Sequence, residues 1–122
     1  AISPDGGALF VADCGDNHKI RRVEVATGAV TTLTGSGARG SADGVGGAAQ
    51  FRYPNGLTIS PDGSALFVAD ADNNKIRRVE VATGAVTATA GSGEGGDADG
   101  VGGAAEFANP AGVAFSPDGS AL

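Results

Sequence analysis

The sequence predicts an all-β fold built from repeated four-stranded antiparallel sheets. Two observations predict it: the chain repeats itself every 56 residues, and each repeat divides at glycine and proline turns into short runs of apolar and β-branched residues. The 22 glycines recur at fixed places, unlike those of aperiodic disordered chains. Hydrophobic residues make up 41% of the chain, which is enough for a modest core.

Long identical runs define the repeat. The run KIRRVEVATGAVT of residues 19–31 recurs unchanged at 75–87, and the turn sequence SPDG occurs three times. Self-similarity at a fixed period of this length is typical of repeat architectures. We therefore expect a first blade repeat over residues 1–57, starting within its innermost strand, a second over 58–113, and the start of a third over 114–122.

The first two predicted strands of the second repeat are joined by a turn, and its residue types favour a turn at this point. Residues 56–60 form the first predicted strand, which leads into Pro61, Asp62 and Gly63. Proline presets φ at the second turn position, aspartate tolerates the third, and glycine adopts the left-handed conformation that starts the return strand. The second strand, residues 65–69, holds a continuous apolar run, which is typical of a strand buried on both faces.

The third and fourth strands are more polar. Residues 75–81 alternate in polarity, and their basic side chains are expected to form ion pairs across strands or between repeats. Residues 85–90 are rich in threonine and are predicted to form a solvent-facing edge strand. The glycine-rich residues 91–109 then connect to the next repeat. Phe51 and Phe107 are predicted to anchor these connections by core packing.

A four-stranded meander with this period is typical of a β-propeller blade, and rings close with several blades. The chain is thus predicted to hold about two blades of a ring. It could share a ring with other copies, be a segment of a longer chain, or belong to an open array. We favour the segment of a larger protein, because residues 1–9 and 114–122 would compete for one strand position and the sequence does not begin with methionine.

Three segments resemble NHL-repeat β-propeller proteins. They are FANPAGVAFSPDGSAL at 107–122, LFVADADNNKIRRVEVATG at 66–84, and the glycine-rich stretch ending in DADGVGGAAEF at 90–107. The resemblance covers the whole chain. It implies a six-bladed ring, often part of extracellular or multidomain proteins, that contacts protein, RNA or glycan. The acidity of the connection argues against RNA.

The net charge of −6 disfavours phosphate backbones and anionic lipid surfaces. No apolar run approaches the length of a membrane span. We therefore expect neither a nucleic acid partner nor membrane insertion. The single Cys14 cannot form an internal disulfide and is interpreted as an incidental loop thiol.

Polar loops are predicted to gather on one face of the propeller, since connections alternate between its two faces. The loop after the second strand and the long connection share that face, which is the predicted partner-binding face. Its residues are Asp13, Asp16, Asn17, Asp70, Asp72, Asn73, Asn74, Asp97 and Asp99. Calcium would need further ligands, so turn formation is favoured over a metal site and no cofactor is expected.

Catalysis finds little support in the sequence. The G-x-G-x-x-G pattern at Gly35 and Gly91 lacks the strand and helix context of a dinucleotide site. His18 is the only histidine, is replaced by Asn74 in the next repeat, and is interpreted as a solvated loop residue.

The sequence thus predicts a non-catalytic scaffold, extracellular or at the cell surface, with no catalytic residues. Its predicted partners are protein, glycan, or neighbouring blades of the same or other chains. The alternative is part of a six-bladed propeller hydrolase or lyase whose catalytic residues lie outside this segment.

Overall fold

The computed structural model describes all of residues 1–122 and is all-β apart from three short 3-10 helices. The strands are β1 Ala8–Asp13, β2 Lys19–Glu24, β3 Val30–Thr34, β4 Gly44–Val45, β5 Pro54–Ile59, β6 Ala65–Asp70, β7 Lys75–Glu80 and β8 Ala85–Ala90. The 3-10 helices are Gly46–Ala48, Ala71–Asn73 and Gly102–Ala104. None of these helices has the length or apolarity that a membrane span requires.

The strands form two antiparallel sheets, with the order β1-β2-β3 in the first and β4-β8-β7-β6-β5 in the second. Consecutive strands from β5 to β8 are hydrogen-bonded neighbours, which confirms the predicted blade meander. The fourth strand has the predicted bounds. The first begins two residues earlier than predicted, because Pro54 already pairs with Asp70.

The fourth strand was predicted to be an edge, and in the second sheet this is wrong. Strand β4, which comes from the first repeat, pairs with β8 through Gly44 opposite Val86. The Gly46 N–H also donates to the Gly84 carbonyl at 3.1 Å. The first long connection is therefore long enough to cross to the next blade and cover its outer strand.

The core lies between the two sheets. Its buried apolar residues are Ala8, Phe10, Ile20, Ala49, Phe51, Leu66, Val68, Val79 and Val86. Five of the six residues of β6 are buried, as the apolar run predicted, and Phe51 is fully buried in its predicted anchoring role. Strand β1 has the matching sequence but leaves Leu9 and Val11 about 40% exposed. One face of the first sheet is therefore uncovered.

The start of the third repeat packs beside the inner strand of the second sheet. The Gly56 N–H donates to the Ala111 carbonyl at 2.8 Å, and Phe67 and Phe115 meet edge to face at 5.3 Å. The SPDG turns of successive repeats also touch, with Pro61 next to Gly119. The inner strands thus follow one another from repeat to repeat as propeller blades do.

Candidate functional site

The loop face is formed by the loop of residues 14–18, the 3-10 helix Ala71–Asn73 with Asn74, and the starts of the two long connections. Asn74 and the long connection meet on this face, since the Asn74 Nδ2 donates to the Gly93 carbonyl at 3.3 Å. This hydrogen bond brings the loop of the second repeat and the long connection that follows it together.

The two loops are fastened to the next repeat by matching clamps. The Tyr53 backbone N–H donates to His18 Nδ1 at 3.1 Å, and the Asn109 N–H donates to Asn74 Oδ1 at 2.9 Å. All four residues have left-handed backbones, with φ between 49° and 55°. Each clamp thus holds two non-glycine residues in a conformation that is uncommon for them.

His18 is therefore not the solvated loop residue that the sequence suggested. Its exposed fraction is 2%, and its ring meets the Tyr53 ring edge to face at 4.6 Å. Since Nδ1 accepts a hydrogen bond, the proton of the imidazole is assigned to Nε2. The imidazole nitrogen takes the place of the Asn74 amide oxygen, a structural role that sequence reasoning missed.

A cleft of about 490 Å³ opens on the loop face between the two repeats. It is lined by Cys14, Gly15, Tyr53, Asn55, Ala71, Asp72 and Asn109. The Tyr53 hydroxyl lies 3.5 Å from a carboxylate oxygen of Asp16. Arg52 Nε lies 3.9 Å from a carboxylate oxygen of Asp72. Amide, phenol and carboxylate groups beside an aromatic ring can hold a polar ligand by directed hydrogen bonds.

Some of the predicted site residues are exposed, and others are held by hydrogen bonds or ion pairs within the chain. The exposed ones are Asp16, Asn17, Asp72, Asp97 and Asp99. Asp13 is half-buried, pairs with Arg21 Nη1 at 3.0 Å and accepts from Asn17 Nδ2 at 3.0 Å. Asn73 Nδ2 donates to the Gly40 carbonyl and to Asp70, both at 2.7 Å. Of the predicted residues only Asp72 lines the cleft, and Asp16 lies beside it through its contact with the Tyr53 hydroxyl. No three His, Cys, Asp or Glu side chains converge as a metal site would need.

The prediction that Asp70 belongs to the partner-binding face is wrong, because the residue is fully buried and cannot meet a partner. It accepts hydrogen bonds from the Arg52 N–H at 2.8 Å, from Asn73 and from Arg77 Nη1 at 2.8 Å. Burial raises the pKa of Asp70 above its ordinary value, while these three hydrogen bonds act in the opposite direction. The carboxylate organises the loop from below.

Arg77 is the second residue of this buried pair, and it joins the two repeats. Its Nη1 donates to the Gln50 carbonyl at 3.0 Å, and its Nη2 donates to the Ala42 carbonyl at 3.0 Å and to Asp43 at 2.8 Å. The guanidinium carbon lies 5.3 Å from the centre of the Phe51 ring. The predicted inter-repeat ion pairing of the third strand is thereby confirmed, whereas the backbone carbonyls that complete the site left no signal in the sequence.

Comparisons with known proteins place these features in context. No protein-family model matches the chain. It is 40% identical over 83 residues to the chloroplastic protein SUPPRESSOR OF QUENCHING 1 of Arabidopsis thaliana, with 68% of this chain and 8% of that protein covered. It is 37% identical over 82 residues to NHL repeat-containing protein 2 of Bos taurus, with 65% of this chain and 11% of that protein covered. The chain thus spans about a tenth of the curated relatives it matches.

Solved structures show the same fold. An auxiliary nutrient binding protein from Bacteroides thetaiotaomicron superposes with a TM-score of 0.80 at 25% identity, covering 96% of this chain and 32% of that one. A protein from the same species described as a putative phosphatase superposes with a TM-score of 0.76 at 21% identity, covering 96% and 29%. The second likeness concerns the fold alone.

Proposed function

The chain belongs to the NHL-repeat family of β-propellers, and on that premise we propose that it is a non-catalytic binding scaffold whose loop face receives a protein or glycan partner. The observation that carries this proposal is the polar cleft between the two repeats. Tyr53, Asn55 and Asn109 line it with phenol and amide groups. A glycan or other small polar nutrient is favoured, since a structural neighbour is a nutrient binding protein.

The scaffold is proposed to be part of a six-bladed ring. The chain covers 32% of the Bacteroides thetaiotaomicron nutrient binding protein, which is about the share that two blades take of six. The division into repeats at 1–57, 58–113 and 114–122 is part of this proposal. The second sheet includes β4, which belongs to the first sequence repeat, so the bounds of the folded blade and of the sequence repeat differ.

An extracellular or cell-surface location follows as a further proposal. It is supported by the Bacteroides nutrient binding proteins that share the fold. Fractionation of the source cells, with an antibody against the chain, tests it: recovery only from the cytoplasmic fraction would refute an outside location.

The second candidate is part of a propeller hydrolase or lyase. It is favoured by a single observation, the fold shared with a protein described as a putative phosphatase. Within this chain His18 is committed to its clamp, so the catalytic groups would have to come from elsewhere in the ring. Hydrolysis of a phosphate or ester substrate by a longer chain that carries the whole ring, with none by the isolated segment, would favour the enzyme over the scaffold.

The binding proposal is tested by titrating the isotope-labelled chain with glucose, galactose, mannose and a mixture of polar peptides while recording backbone amide resonances. We expect saturable shifts at Tyr53, Asn55 and Asn109 with one class of probe. Asn55→Ala and Asp72→Asn should weaken binding by about tenfold each, since each removes a hydrogen-bonding group from the cleft. The control Thr87→Ser changes an exposed residue of β8 and should leave binding unchanged. Shifts confined to the opposite face, or equal loss in the control, would contradict the proposal.

A further inference from the structure

The two clamps of the loop face differ in the chemistry of their acceptors. In the first, the Tyr53 N–H donates to Nδ1 of His18 at 3.1 Å; in the second, the Asn109 N–H donates to Oδ1 of Asn74 at 2.9 Å. Histidine is the side chain that ordinarily changes its charge between about pH 5 and 8. An amide oxygen accepts throughout this range, whereas an imidazole nitrogen accepts only while the ring is neutral. Acid can therefore remove the acceptor of the first clamp alone.

The bond to His18 has no substitute once the ring is protonated. Both nitrogens of an imidazolium carry protons, so rotating the ring cannot supply an acceptor. His18 is 2% exposed, and its ring meets the Tyr53 ring edge to face at 4.6 Å. Protonation would thus place a ring N–H against the backbone N–H in a space that water hardly reaches, and a buried donor without an acceptor is unfavourable.

The Tyr53 backbone has another conformation available when this bond is lost. Its φ of 51° lies in the left-handed region, which is uncommon for residues other than glycine. Tyr53 also precedes Pro54, and a residue before proline is biased toward extended backbone. Loss of the clamp bond therefore favours a change of Tyr53 toward an extended conformation.

No neighbouring group replaces His18 in this role. Titratable side chains on the segments around the ring are Cys14, Asp16, Lys19, Arg52, Tyr53 and Asp72. At the base of the same loop, Asp13 and Arg21 are paired with each other at 3.0 Å. Residues 35–37 of the connection, which lie against the His18 backbone, carry no titratable side chain. The residue types in these positions ordinarily keep their charge between about pH 5 and 7.5. The charge of the His18 ring therefore decides whether the clamp bond exists.

We propose that the His18 clamp is an acid-sensitive switch in the wall of the cleft. When Nδ1 takes a proton from solvent, the Tyr53 N–H is released and Tyr53 and Asn55, which both line the cleft, change position. The Asn74 clamp does not titrate and holds Asn109 on the other side of the cleft at the same pH. In the binding role proposed above, on which this last step rests, a partner held at neutral pH is released in acid.

The first test measures amide hydrogen exchange by NMR in the isotope-labelled wild-type chain between about pH 7.5 and about pH 5, while the His18 ring resonances report protonation. Protection is expressed relative to an unstructured amide at each pH, because intrinsic exchange also depends on pH. The Tyr53 amide should lose at least about tenfold of its protection in acid, and the Asn109 amide should keep its protection within about twofold. Equal loss at both amides, no loss at Tyr53, or a ring that stays neutral would overturn the proposal.

Two reciprocal variants exchange the acceptors of the clamps. His18→Asn keeps an acceptor without a titratable ring, so the protection of the Tyr53 amide should no longer depend on pH. Asn74→His places the ring in the second clamp, so the protection of the Asn109 amide should now fall about tenfold in acid. Circular dichroism at neutral pH checks that both variants are folded. Acid sensitivity of Tyr53 that survives in His18→Asn would belong to another group and would overturn the proposal.

These measurements use no ligand, so they are independent of the binding role. The regulatory step is tested by repeating the sugar and peptide titrations at both pH values. The wild-type chain should bind at least about tenfold more weakly in acid, and His18→Asn should bind equally at both. Equal binding by the wild type at both pH values would overturn the regulation. Absence of binding even at neutral pH would refute the binding role and the regulation that rests on it, whereas the exchange data would still decide whether the clamp opens.

Discussion

His18 and Asn74 accept the same hydrogen bond in successive repeats although one is an imidazole and the other an amide. In each repeat the bond comes from the backbone N–H of a left-handed residue just before the next repeat, Tyr53 or Asn109. An acceptor at this position thus ties the loop to the following strand.

His18→Asn should therefore preserve stability, and His18→Ala should lower the free energy of unfolding by about 1–3 kcal/mol because the Tyr53 N–H loses its partner. Urea denaturation followed by circular dichroism measures both values. An asparagine variant as unstable as the alanine variant would show that the ring, rather than its Nδ1 acceptor, is what the fold needs.

Arg77 and Arg21 allow a direct comparison of a fully buried and a partly exposed arginine. Arg77→Ala leaves the Asp70 carboxylate buried without its cation and should cost about 3–5 kcal/mol. Arg21→Ala breaks a partly exposed pair with Asp13 and should cost about 1 kcal/mol or less. Denaturant unfolding of both variants at a concentration where the chain is monomeric gives the difference. Equal costs would mean that the buried site does not stabilise the contact between repeats.

Alanine substitutions at Gly28 and Gly84 allow the cost of backbone strain to be distinguished from the cost of a steric clash. Both have φ of +74°, but a Cβ on Gly28 would meet nothing within 4 Å, while one on Gly84 would lie 2.7 Å from the Leu33 carbonyl oxygen. Gly28→Ala should cost about 1–2 kcal/mol, the price of a left-handed alanine. Gly84→Ala should cost clearly more, since backbone of the first repeat must also move. Thermal unfolding compares them, and equal losses would argue against the close approach of the two repeats.

Asp62 should make stability depend on acid pH. Hydrogen bonds from the Ser60 hydroxyl, the Ser64 N–H and the Ser64 hydroxyl lower its pKa from 3.8 to about 2. Because the folded pKa is the lower one, this stabilisation is present above pH 3.8 and is lost as the pH falls toward 2.

Asp62→Asn should remove that part of the pH dependence. Urea midpoints measured well above pH 3.8 and near pH 2 should differ less in the variant than in the wild type. Asp97→Asn, which removes an exposed carboxylate, is the control for charge and should leave the acid dependence nearly as it was. An unchanged slope in Asp62→Asn would mean that the turn does not hold the charged carboxylate.

Much of the blade could be predicted because its determinants are local. The SPDG turns, the apolar run of β6 and the threonine-rich β8 carry their conformation in neighbouring residues. The site was harder to predict. Asp70 and Asp72 look alike in sequence, yet one is fully buried beneath the loop and the other lies at the cleft.

The repeat, the strands and the turns can be predicted from the sequence, since hydrophobic period and turn chemistry act within a few residues. Which of two identical residues is buried depends on how the repeats pack. Arg21 and Arg77 share every neighbour in their hexapeptides, and Leu9 and Leu66 share the run LFVAD. They differ because burial depends on whether another repeat covers that face of the sheet, and no short stretch of sequence records the presence of a neighbour.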